Sequence, residues 1–159
     1  MSFDFSNLDL NIILIPCSGS EYHGEIAHKA AIKLMEDSPI SEISSVFCST
    51  IFFKNYLLNK ERLFEISKSH LNNSFVIVIN GCRTSCASII FKKLGVNIDL
   101  IINVQDIIPK PKMNLSDLEA FKNMPKLTNI KEEEINKVIS HLLLKLKEKI
   151  LLIRKEIVK

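Results

Sequence analysis

Two uninterrupted apolar runs constrain this chain more than any other feature. Residues 11–16 (NIILIP) and 75–79 (FVIVI) lack the polar–apolar alternation of a half-exposed strand. Strands of that kind are covered on both faces, the habit of parallel sheets sandwiched between helices. The segments around them agree. Residues 24–36 set Ile26, Ala30 and Leu34 on one helical face, with Lys29, Lys33 and Glu36 outside. Residues 43–47 read as a second strand, and 49–58, with Phe52, Phe53 and Tyr56, as a loop. Residues 59–71 read as a helix, 85–94 as a helix closed by Gly95, and 98–104 as a fourth strand. The expected fold class is α/β: three layers around a mainly parallel sheet in the order 2-1-3-4, of Rossmann or flavodoxin type, with a long C-terminal helix.

The alternation stops near residue 104. Residues 106–129 hold Pro109, Pro111 and Pro125 and read as a loop with one short helix, started by the capping box Ser116-Asp117-Leu118-Glu119. The last helix is expected over 131–158. Its seam is Ile135, Ile139, Leu142, Leu146, Ile150, Ile153 and Ile157. Such a helix spans roughly 40 Å at 1.5 Å per residue, against a radius of gyration of about 15 Å for a domain this size. It must break and fold back, or overhang. Leu143, Leu144, Leu151 and Leu152 add apolar surface beside the seam. The reading favoured is overhang, with self-association of the distal half as a two-fold homodimer. The organisation is one domain overall: an α/β four-cysteine unit over 1–130, and a helix over 131–159 packed on it or used for self-association.

All four cysteines have telling positions. Cys17, Cys48 and Cys82 each end one of the first three strands, and Cys86 follows one helical turn later. In a parallel sheet the strand C-terminal ends share one edge, where ligands bind. Residues scattered along the chain would therefore meet at one place. No secretory leader opens the chain, so the expected compartment is the cytosol, where thiols stay reduced and read as metal-binding or catalytic before disulfide. The simplest product is a zinc site with Cys17, Cys48, Cys82 and Cys86 as ligands. Ser18, His23, Asn80 and Arg83 are the candidates for the shell around it. The helix starting near Ser85 would aim its positive end at the thiolates. His28, His70 and His141 read as surface side chains. A phosphatase-like loop after Cys17 is disfavoured by His23, which stands where an oxyanion-clamping arginine is needed.

Charge and hydropathy narrow the partners. The net charge is +3, and residues 131–159 supply all of it with eight basic and five acidic side chains. No basic stripe is interleaved with aromatics, so nucleic-acid binding is not expected. No run of apolar residues is long enough for a membrane span.

Four segments together resemble the DGC-domain family, small four-cysteine proteins to which zinc binding is ascribed. They are Cys17-Ser18-Gly19-Ser20 followed by Gly24 and an Ala-rich helix; Cys48 ending strand two; Asn80-Gly81-Cys82-Arg83-Thr84-Ser85-Cys86-Ala87; and the strand leading into Gln105-Asp106-Ile107. The resemblance covers about residues 11–112. It implies a metal site on the same four cysteines. Two positions depart from the family pattern: Asn80 replaces an aspartate, and Ser49–Phe53 replaces a Gly-rich stretch. Two other functions stay open on the residues alone. One is a thiol, redox or sulfur-transfer protein using Cys17 or Cys82. The other is an iron–sulfur carrier.

Overall fold

A computed structural model describes residues 3, 5, 8–17, 21–81, 84–109 and 129–157. Ser18, Cys82, Arg83 and the expected helix start at Ser116 lie outside the described residues. Four parallel strands form one sheet in the order β2-β1-β3-β4, as expected. They are β1 (Ile12–Pro16), β2 (Ser44–Val46), β3 (Phe75–Asn80) and β4 (Leu100–Asn103). The central pair matches the two apolar runs, and every residue of β1 and β3 is buried. The register pairs Ile12 with Phe75 and Pro16 with Ile79.

Helices cover both faces. The first is α1 (Tyr22–Glu36); α2 (Ser49–Leu57) and α3 (Glu61–Asn72) link β2 to β3. Next come α4 (Cys86–Lys93), the single turn α5 (Val104–Ile107) and α6 (Glu132–Ile157). On one face Ile12, Leu14, Ile77 and Ile79 pack with Ile26, Ala30 and Leu34 of α1 and with Val138, Leu142 and Leu146 of α6. On the other, Ile13, Ile15, Val76 and Val78 pack with Phe52 of α2, Phe64 of α3 and Phe91 of α4. Strand side chains point alternately to the two layers, so each strand serves both cores.

Two elements differ from the sequence expectation. Residues 49–57, expected as a loop, are the helix α2. Its Phe52 ring stacks on Phe91 at 5.2 Å and 9°, and lies 4.9 Å from Phe64. Tertiary packing fixes a segment whose Ile, Phe and Tyr content carries little intrinsic helix preference. The second difference concerns α6: it is continuous over 26 residues, as the favoured reading has it, but its seam is covered within the chain. Its seam through Ile150 is buried, with Val138 fully inside where Ile139 was expected and is half-buried. The cover comes from α1 and from the N-terminal residues Phe5 and Leu8, with Phe3 packed against the same cluster. Lys147 and Arg154 stand over the Phe3 ring at 5.8 and 5.9 Å. Leu144, Leu151 and Leu152 remain exposed.

Candidate functional site

The described cysteines sit at the C-terminal edge of the sheet, each positioned by a different element. Cys17 follows β1 directly, and its N–H donates to the Ile79 carbonyl at 2.8 Å, extending the β1–β3 ladder by one residue. Cys48 is the residue on which α2 begins. Its neighbour Phe47 donates its N–H to the Leu14 carbonyl at 2.9 Å, which ties this segment to β1. Cys86 is the first residue of α4, entered through Ser85 in the left-handed conformation (φ 48°). Cys17 is buried, and Cys48 and Cys86 are exposed.

Two clefts open here. One of about 220 Å³ is lined by Cys17 and Cys86 together with Phe53, Ala87, Ile90 and Phe91. The second, of about 240 Å³, is lined by Cys48 with His28 and Phe47. Pro16 and Ser49 border both. The edge thus brings Cys17 and Cys86 into one cleft and Cys48 into the next. Among the described residues, no three His, Cys, Asp or Glu side chains come close enough to hold a metal ion. The fourth cysteine of the sequence pattern, Cys82, lies between Gly81 and Thr84, outside the described residues.

The surrounding polar groups hold this edge in shape. Asn80, fully buried at the end of β3, donates from Nδ2 to Ser88 Oγ and to Asn103 Oδ1, both at 3.1 Å. Its Oδ1 accepts from the Ser88 N–H at 3.3 Å. Ser88 Oγ in turn donates to the Ser85 carbonyl at 3.0 Å. Asn80 therefore clamps the first turn of α4, and with it Cys86, to the ends of β3 and β4. Both Nδ2 protons have oxygen partners, so Asn80 ties elements together at this edge. Sequence reasoning did not find Ser88 or Asn103, since cross-element side-chain bonds leave no periodic mark.

A second tie holds α1. Gly81 lies so near it that a Cβ there would be 2.6 Å from both N and Cα of Gly24. Beside that contact His23 is 1% exposed. Its Nε2 lies 2.7 Å from the Ile108 carbonyl, which makes Nε2 the protonated nitrogen. Nδ1 is buried with no hydrogen-bond partner among the described residues. Burial lowers the His23 pKa below its ordinary value, against the smaller opposing pulls of the Ile108 carbonyl and Glu134. Tyr22 donates its hydroxyl to Glu134 Oε2 at 2.5 Å, and burial together with that carboxylate pushes its pKa up to about 12. Glu134 also accepts from the Lys131 N–H at 3.2 Å, at the start of α6. His23 thus belongs to the brace between α1, α5 and α6, and His28 borders the Cys48 cleft as an exposed side chain.

No helix among the described residues is long and apolar enough to cross a membrane. No curated protein and no solved structure matches the chain significantly. The family model of the DGC domain matches residues 13–142, a span that contains all four cysteines and every element from β1 into α6. With that match across most of its length, the chain belongs to the DGC domain family.

Proposed function

We propose that this chain is a zinc–thiolate protein whose ligands are Cys17, Cys48, Cys82 and Cys86. The observation that carries the reading is the delivery of thiols from three separate elements to one sheet edge, two of them into one cleft. The donors fit zinc in kind, since a full set of thiolates is a structural zinc shell. In position the fit is partial. Cys17 and Cys86 face one cleft, so the Cys48 segment and the Cys82 turn have to close around them. The amino-terminal ends of α2 and α4 carry Cys48 and Cys86, and their positive ends favour thiolate. Bound zinc would fasten α2 and α4 to β1 and stabilise the fold. A reducing compartment such as the cytosol keeps the ligands available.

Elemental analysis and a visible spectrum of untagged protein prepared without oxygen test this. Stoichiometric zinc is expected, lost in Cys82→Ser, together with a fall in melting temperature on chelation and weaker binding as pH drops. A brown protein with iron and sulfide would replace zinc by a cluster.

The shared cleft favours one further reading. Cys17, nearly enclosed, with Cys86 across a mostly apolar cavity, suits thiol or sulfur-transfer chemistry on a small substrate. Metal-free protein with an unchanged melting temperature, and one cysteine alkylated much faster than the rest, would select it over zinc.

A further inference from the structure

The layer formed by α2, α3 and α4 has an outer face that its packing does not explain. Leu57 and Leu58 are 74% and 55% exposed. They end α2, where Asn59 turns the chain in the left-handed conformation (φ 51°). The Asn59 N–H donates to the Tyr56 carbonyl at 3.1 Å, and the Lys60 N–H to the Asn55 carbonyl at 2.9 Å. That pair of bonds is a Schellman close, which holds the corner in one shape. The two leucines are thus presented outward by a fixed turn that would accept polar residues equally well. Tyr56 of α2 and Leu63 and Ile66 of α3 are exposed as well.

The charge around this corner is net positive. Lys54, Lys60 and Arg62 are all exposed beside it, with Glu61 and Glu65 as the opposing groups. Residues 49–98 contain seven basic and two acidic side chains, a net +5 in a chain whose total is +3, so the rest of the molecule is net acidic. A second copy meeting this face with the same face would oppose like charges. Aliphatic side chains also offer bases no platform for stacking. Protruding aliphatics and a tyrosine within a basic rim match a surface that is apolar below and negative above.

We propose that the α2–α3 corner docks the protein on an anionic membrane surface. Leu57 and Leu58 enter the acyl boundary, Tyr56 sits at the headgroup level, and Lys54, Lys60 and Arg62 meet the lipid phosphates. The membrane is bound and not crossed by this layer.

Sedimentation of the full chain with vesicles tests it. Binding is expected to phosphatidylglycerol–phosphatidylcholine vesicles and not to pure phosphatidylcholine, and to weaken as salt is raised. Leu57→Ser with Leu58→Ser should reduce binding by about tenfold or more. Lys60→Glu with Arg62→Glu should do the same, at about fivefold per charge removed. Circular dichroism checks that each variant is folded. The charge pair decides the matter if the leucine pair is not folded. Absence of binding to the anionic vesicles would overturn the proposal and leave the face to a protein partner. Equal binding to neutral vesicles, or binding that survives the substitutions in folded protein, would also overturn it.

Discussion

At the scale of single residues, the close approach of Gly81 to Gly24 carries a sharp expectation. The atoms a new Cβ would meet are backbone, so relief requires α1 to move away from β3. Gly81→Ala should destabilise the protein by about 1–3 kcal/mol, read by urea unfolding. Asn80→Ala should cost about 1–3 kcal/mol as well, because Ser88 and Asn103 lose a buried partner. His23 adds a pH dependence. Its pKa is lowered in the folded state, so the unfolded chain takes up a proton that the folded one resists. Stability is full above the ordinary value near 6.5 and falls as pH drops through the lowered folded value. Melting temperatures taken downward from about pH 7.5 should fall, and His23→Gln should flatten that dependence. If the variant keeps the slope, another group is responsible. The cysteines were legible because a residue type that ends successive apolar runs marks strand ends. The role of His23 was not, since its partner is the carbonyl of Ile108, far along the chain and without side-chain identity.

Elements were legible where period and length were ample. The strands β1 and β3 and the helices α1 and α6 all exceed the reach of one ambiguous turn, and each was read within a few residues of its bounds. The helix α2 was not, because nine residues with three adjacent apolar ones, Ile51, Phe52 and Phe53, show no clear face. What makes it a helix is the aromatic stack of Phe52 between Phe91 and Phe64, which belongs to two later elements. Phe52→Ala should therefore cost about 3–5 kcal/mol and release α2 from the sheet, measurable by denaturant unfolding and by faster proteolysis after Lys54. The α6 seam was correctly read as apolar, but its cover was sought in a second molecule. Phe5 and Leu8, from the start of the same chain, join the buried cluster that holds the seam. For self-association, the exposed remainder is Leu144, Leu151 and Leu152. Light scattering on Leu151→Glu with Leu152→Glu should show a lower mass than the parent protein if this surface joins two copies. Equal masses would remove α6 as the contact.

On the scale of the whole molecule, the sheet divides the chain into two layers. The layer of α2 to α4 carries a basic excess and the exposed Leu57, Leu58 and Leu63, while α1 and α6 lie behind the sheet on the other side, α6 with a basic excess and exposed leucines of its own. The cysteine edge runs along the top of both. The strand order has one more consequence, which concerns synthesis. β1 is central, yet its main neighbour β3 begins only at Phe75. At translation speeds of about 5–20 residues per second, the ribosome adds roughly sixty residues, over about 3–12 seconds, before β1 can pair on that side. During that interval one edge of IILIP stays unpaired, and an unpaired strand edge can join other chains. Slowing elongation between β1 and β3 should therefore raise the aggregated fraction more than the same delay placed after β4.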